Sequence, residues 1–352
     1  MKLLKSFLIV LAVLIVLFAA ILGYFTITDY RPVETRLIYQ SDQPDTLNAA
    51  IPFTCLSWNV GYGGLGDDMD FFYDGGKQVR TGRQRTKQNL LNIVDFMVHN
   101  DSIDFILLQE VDTDAKRTYH YDEYRLFDDS LTVHHGFFAL NYHVKFVPVP
   151  LFQPMGRVKS GLLTLSRYNP SRVERINFPG DPSWPIVLFE LDRCFLATYF
   201  PLSNGKELVV INTHNSAFDD GSLKAQEMEY LRNYLTAQYN AGNYIITGGD
   251  WNQNPPGFAT NTFGPPPLQG NFRYISVPDD YMGEGWSFVY DSTTPTNRDL
   301  LAPYQPGTTF TTILDFFLIS PNCSNTLVKT THLGFQSSDH NPVTASFTLS
   351  GD

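Results

Sequence analysis

Apolar residues follow three different patterns along this chain. The first is an unbroken block. Phe7–Phe25 holds 19 consecutive uncharged, nearly all apolar positions. About 20 such residues cross a bilayer core, whereas the apolar stretch of a cleaved signal peptide runs to about 7–15. Lys2 and Lys5 precede the block and favour the cytoplasmic side, and no small-x-small cleavage pattern follows it. Residues 1–28 therefore read as a transmembrane anchor, with a cleaved signal sequence as the alternative. The remainder is expected outside the cytoplasm: at an inner membrane, periplasm or cell surface in a prokaryote, or secreted if the segment is removed. Residues 29–50, with Pro32, Ser41, Asp42, Pro44 and Asp45, read as a linker. Residues 51–352 then form the folded domain.

The second pattern is a set of short apolar runs bounded by polar residues, which predicts strands. These are Phe53–Asn59, Asp104–Gln109, Tyr142–Pro148, Gly161–Ser166, Cys194–Phe200, Glu207–Asn212, Tyr244–Thr247, Ile313–Ile319 and Val343–Leu349. The third has helical spacing. Thr86–His99 places Leu90, Leu91, Ile93, Val94, Met97 and Val98 on one side, and Leu223–Tyr239 carries Leu231 and Leu235 four apart. Many strands and few helices predict an α/β (α+β) sandwich with helices outside. Residues 255–307, rich in Pro and Gly, are expected to be a long surface loop.

Composition sharpens this picture. Phe and Tyr number 27 and 19, which suits strands and the core between sheets. The net charge is −11 and no Lys/Arg run occurs, so nucleic acid is allowed as a partner but not favoured. No protein partner is evident. Cys55, Cys194 and Cys323 are far apart and form no CxxC, so buried strand positions are expected, with one disulfide as the alternative in an exported domain.

Polar residues recur where apolar runs end. Asn59 ends the first strand, Glu110 follows DFILLQ, and His214 follows LVVINT. Asp250 and Asn252 follow YIITGG, Asp339 and His340 precede the last strand, and Asp315 lies inside ILDFFLIS. One such residue alone is usually a turn former or a cap. Together they offer what phosphate-ester hydrolysis needs: oxygen ligands for a hard cation, a group to orient water, and a group to assist the leaving oxygen. The substrate is thus expected to be a phosphoester, and the cofactor Mg²⁺, with Mn²⁺ or Ca²⁺ as alternatives.

The segments LSWNVG (56–61), LLQEVD (107–112), SGLLTLSRY (160–168), VINTHNS (210–216), ITGGDWNQNP (246–255), ILDFFLIS (313–320) and SSDHNPV (337–343) occur in an order that resembles the endonuclease/exonuclease/phosphatase superfamily of DNase I-like phosphoesterases. The resemblance covers about residues 51–350. It implies a four-layer sandwich of two mixed β-sheets flanked by helices, with 51–352 as catalytic domain. It further implies that Asn59, Glu110 and Asp339 serve the metal, and that His214, Asp250, Asn252, Asp315 and His340 are catalytic. Asp315 is expected to orient His340. Similar sequences often carry Glu where this chain has Ser160, which leaves open what orients His214. Arg157 and Lys159 are the expected phosphate-contacting pair. The loop 61–80 suggests either a second cation site, through Asp67, Asp68, Asp70 or Asp74, or a flexible solvated segment. The preferred reading is a phosphodiesterase or phosphatase acting on a small or membrane-presented substrate. An exported nuclease is the alternative, and a binding module without catalysis a third.

Overall fold

The computed structural model of the protein describes residues 2–218 and 221–350. Two mixed sheets face each other. One has six strands, ordered β14 (Cys323–Thr330), β15 (Val343–Leu349), β2 (Phe53–Asn59), β3 (Phe105–Asp112), β5 (Gly156–Ser166) and β4 (His135–Val147). The other has seven: β1 (Thr35–Gln40), β6 (Arg172–Asn177), β7 (Cys194–Pro201), β8 (Glu207–His214), β9 (Tyr244–Asp250), β13 (Asp315–Ile319) and β10 (Ser287–Val289). Within each sheet one pair is parallel, β2 with β3 and β8 with β9, and the other pairings are antiparallel. A two-stranded ladder joins β11 (Asn297–Arg298) to β12 (Thr311–Thr312).

Strand alternation explains why these runs are apolar throughout. Leu208 and Val210 of β8 enter the core between the sheets, beside Leu107, Phe200, Ile246 and Phe317. Their neighbours Val209 and Ile211 point the other way, onto Met228, Leu231 and Leu235 of α4 (Ser222–Asn240). A strand covered on both faces has no solvent side, so the polar half of the usual alternation disappears. On the opposite sheet, α2 (Arg83–His99) sets Leu90, Ile93 and Met97 against Leu56, Trp58, Ile106 and Leu108. Phe127 of α3 (Glu123–Ser130) joins them. The result is the four-layer sandwich.

Three features depart from the expectation. Residues 29–50 are not all linker, because Thr35–Gln40 adds an edge strand to the larger sheet. Its residues are mostly exposed, so they carry no apolar alternation. The eight-residue α3 is too short to show helical periodicity, and is capped instead by Asp122, whose side chain accepts from the Arg125 amide. The loop after β2 is packed rather than loose. Tyr62, Leu65, Met69, Phe71 and Val79 are buried in it, and Asp70 caps the amides of Lys77 and Gln78.

The apolar segment forms one helix, α1 (Lys2–Ile27), with mean hydropathy 3.0 and no buried residue over its most apolar stretch. It is long and apolar enough to cross a membrane. Its last turn meets the folded domain. The Tyr24 hydroxyl receives Lys145 Nζ at 3.3 Å, Phe25 packs edge-on to Phe189, and Thr26 Oγ1 accepts from Trp184 Nε1 at 3.1 Å.

Candidate active site

Strand register gathers the predicted polar residues. His214 ends β8 directly beside Asp250 of β9, and Asp315 of β13 pairs with Asp250 from the other side. Three separate motifs thereby become one row at the end of the sheet. Gly249 makes this possible: a Cβ there would lie 1.9 Å from the Thr213 carbonyl oxygen, so only glycine lets β9 run this close to β8. On the facing sheet, Asn59 ends β2. Glu110 sits in a break of the β3–β5 register with φ 57°, a left-handed conformation that turns its side chain out of the ladder. Such backbone strain in a non-glycine residue is concentrated at functional sites. Asn252 has φ 51°.

Asn59 Nδ2 joins the sheets, donating to Glu110 Oε1 at 3.1 Å and to Asp250 Oδ2 at 2.9 Å. Its oxygen accepts from the Gly61 amide. The Asn59 amide thereby links the two carboxylates across the sheets. Asp250 Oδ2 lies 3.6 Å from Nε2 of both His214 and His340. Asp250 Oδ1 accepts from the Asn252 amide, and Asn252 Nδ2 donates to the Asn215 carbonyl, fixing the turn. Asp339 Oδ2 lies 3.9 Å from His340 Nε2.

Asp315 is fully buried, 2.7 Å from His340 Nδ1. Burial raises its pKa to about 6, against the opposing charge of His340. Burial also disfavours charge on His340, but Asp315, Asp250 and Asp339 outweigh it and hold the imidazole pKa well above its ordinary value. His214 behaves oppositely. Burial, with Arg193 and His340 adding to it, drives its pKa far down, so the ring is neutral. The surroundings of two histidines on one carboxylate thus push their pKa values in opposite directions.

Three carboxylates crowd the same wall. Burial, then Asp339 and Glu110, push Asp74 up to about 8. Burial, only partly offset by His340, raises Asp339 to about 6, and Glu110 adds to it. Mutually repelling oxygen ligands in a buried place are the donor set a hard divalent cation takes up. Asp250, Asp315 and His340 also offer ligand atoms within 4.8 Å of one another. Asp315 is already engaged by His340 through a 2.7 Å hydrogen bond, however, while Asp250 stands 3.6 Å from the other ring nitrogen.

These residues open into a cavity of about 150 Å³. Glu110, His214, Asp250, Asn252, Asp339 and His340 line it. Arg157 and Lys159 do not. On β5 they alternate with the buried Val158 and Ser160, and Arg157 pairs with Asp114 at 2.8 Å. The cations in the cavity wall are instead Arg117, Arg193 and Arg298. Arg117 forms a bidentate pair with buried Asp112 and stacks 3.6 Å over the Tyr62 ring. Arg193 donates to the His214 carbonyl. Arg298 ties down the carbonyls of Gly66 and Met69. Asn297 is a further residue the sequence did not reveal, with Nδ2 3.0 Å from His340 Nε2. It comes from the Pro/Gly-rich stretch, where no periodicity marks it. Of the four loop acids, Asp67 and Asp68 pair with Arg85, Asp70 caps the loop, and Asp74 alone lines the cavity. Ser160, at the anticipated Glu position, also lines it. Its hydroxyl, like Nδ1 of His214, is buried without a protein hydrogen-bond partner.

A four-layer sandwich with acids and histidines at one end of two mixed sheets is a DNase I-like fold. Within that class the chain belongs to the Endonuclease/Exonuclease/phosphatase family, a family of phosphoester hydrolases, which it matches over residues 56–340. Solved structures agree in fold. An endonuclease/exonuclease/phosphatase from Beutenbergia cavernae superimposes with TM-score 0.52 at 15% identity, covering 85% of this chain and 72% of that one. One from Bacteroides vulgatus gives 0.52 at 14%, covering 85% and 99%. ANGEL2, a 2',3'-cyclic phosphatase in complex with adenosine-2',3'-vanadate, gives 0.55 at 16%, covering 91% and 100%. Among curated proteins none matches the chain.

Proposed function

We propose that this protein is a divalent-metal-dependent phosphodiesterase or phosphatase, acting outside the cytoplasm on a small or membrane-presented phosphoester. The observation that carries this reading is the convergence of His214 and His340 on one carboxylate oxygen of Asp250, beside the acids Glu110, Asp339 and Asp74. Mg²⁺, or Mn²⁺ or Ca²⁺ in its place, would be held by Glu110 and Asp339 with Asp74 nearby, and supplies charge neutralisation for the phosphoryl oxygens. Asn59 fixes Glu110 and Asp250 relative to each other. Asp250, held by Asn59 and the Asn252 amide, orients the attacking water and accepts its proton. His340, charged and held by Asp315, contacts the phosphoryl group. The proton that Asp250 takes from the water is the one returned to the leaving oxygen, beside His214 Nε2 at 3.6 Å from the same carboxylate.

The test uses the full chain in detergent, with Mg²⁺ or with EDTA. The substrates are bis-p-nitrophenyl phosphate, p-nitrophenyl phosphate, plasmid DNA and a phospholipid, beside a His340→Ala control. Turnover that needs metal and falls by about 10²–10⁴-fold in the control is expected. Metal-independent turnover that survives in His340→Ala would sink the mechanism. Preference for plasmid DNA would move the assignment to a nuclease.

A further inference from the structure

Two loops break the rule that exposed connections are polar. Residues 146–155, FVPVPLFQPM, join β4 to β5 without one charged side chain, and 182–189, PSWPIVLF, are also uncharged. The first is a closed turn held by the Gln153 amide on the Pro150 carbonyl and the Met155 amide on the Val149 carbonyl. It presents Phe152 97% exposed and Leu151 77% exposed, while Trp184 and Ile186 are exposed on the second loop. An apolar patch of this kind marks an interaction surface.

The position of the patch identifies what covers it. The final turn of α1 ends among these same elements, through Tyr24 with Lys145, Phe25 with Phe189 and Thr26 with Trp184. An apolar helix that enters a bilayer must leave it at this face. Tyr24 and Trp184 beside Lys145 make the aromatic and cationic belt expected at headgroup level. The patch is also coupled to the active site. Tyr142, in the cavity wall, donates to the Phe189 carbonyl. Met155 ends the first loop, Glu190 and Leu191 follow the second, and all three line the cavity. Across the cavity, Tyr73 stacks on Phe218, which packs edge-on to Phe272.

We propose that the apolar turn 146–155 and the segment 182–189 lie in the surface of the bilayer that α1 enters, so that the cavity opens onto the lipid headgroup layer. This deepens the proposed function and rests on reading α1 as a membrane span. The substrate class it selects is the phosphoester of a lipid headgroup, delivered without leaving the membrane.

The native cysteines are all buried, which allows one exposed cysteine to be labelled selectively. The full chain carrying Phe152→Cys would be labelled with an environment-sensitive fluorophore and reconstituted in phosphatidylcholine/phosphatidylglycerol vesicles. Leu327→Cys, exposed on β14, serves as the distant control. Expected is blue-shifted emission at position 152, quenched by lipids with brominated tails, with neither effect at 327. Equal, water-like emission at both positions would overturn the proposal. So would a shift that grows with protein density and ignores brominated tails, since that indicates a second copy of the chain. This readout needs no activity, so it stands or falls apart from the hydrolase reading. Where turnover is measurable, Phe152→Asp should lower hydrolysis of vesicle-borne phospholipid about tenfold. Hydrolysis of soluble bis-p-nitrophenyl phosphate should stay within about twofold, as for other surface substitutions. Equal loss on both substrates would count against membrane docking.

Discussion

Asp315 shows how much one buried side chain can decide. It touches no solvent and has no place at the cavity wall, yet it sets the charge and ring orientation of His340 through a 2.7 Å hydrogen bond. Asn297 Nδ2 lies 3.0 Å from the other nitrogen of the same ring. Replacing the carboxylate with an amide keeps the shape but removes the charge that stabilises the imidazolium, and can invert the tautomer. Asp315→Asn is therefore expected to lower kcat by about 10²–10⁴-fold with little change in KM. Steady-state kinetics with bis-p-nitrophenyl phosphate measures this. A change confined to KM would mean that Asp315 serves substrate binding instead. Asn297→Ala removes a neutral contact and should cost less than Asp315→Asn.

At the scale of elements, α4 and the β7–β8–β9 face form a core of their own. Leu231 and Leu235 are fully buried there against strand residues whose alternate neighbours fill the central core. Leu235→Ala removes buried methylene groups and leaves a cavity, a loss of about 2–5 kcal/mol, to be read from denaturant unfolding of the full chain. The Arg117–Asp112 pair has different energetics. Both groups are buried, and Asp112 also accepts from Thr118. Removing Arg117 alone leaves an uncompensated acid beside Glu123, a carboxyl whose pKa burial and then Asp112 raise. Arg117→Met should destabilise by about 3–5 kcal/mol, and Arg117→Met with Asp112→Asn by less. Equal losses in the single and double variants would rule out the charge-pair explanation.

For the whole molecule, the acids that favour a cation also oppose folding without one. Asp74, Glu110 and Asp339 repel one another in a buried cavity, so binding of a divalent ion favours the folded state by mass action. At about 100 times its Kd, Mg²⁺ should add about 2.7 kcal/mol, seen as a rise in Tm over the EDTA-treated protein. Asp339→Asn should shrink that rise while increasing the metal-free Tm, because one repelling charge is gone. An unchanged Tm with and without metal would argue against a cation bound by these acids.

The sequence by itself determined the apolar helix, the two long amphipathic helices, most of the strands and the family, because each leaves a local record: a run, a period or a motif beside an apolar stretch. Asn59, Glu110, His214, Asp250, Asp315, Asp339 and His340 could be named for the same reason, since strand ends are marked by the end of apolarity. Tertiary structure decided the rest. Arg117, Arg193, Asn297 and Arg298 lie in segments with no period, and reach the cavity only because loops fold over the sheet ends. Arg157 and Lys159 look suitable in sequence, but strand alternation sends them away from the buried side of β5. Edge strand β1 lacks an apolar signature because edges are exposed, and α3 is shorter than the period that would reveal it. Local patterns record which side chains are buried. Only the register of one strand against another fixes which polar residues meet, and the pairing of His214, Asp250 and Asp315 is of that second kind.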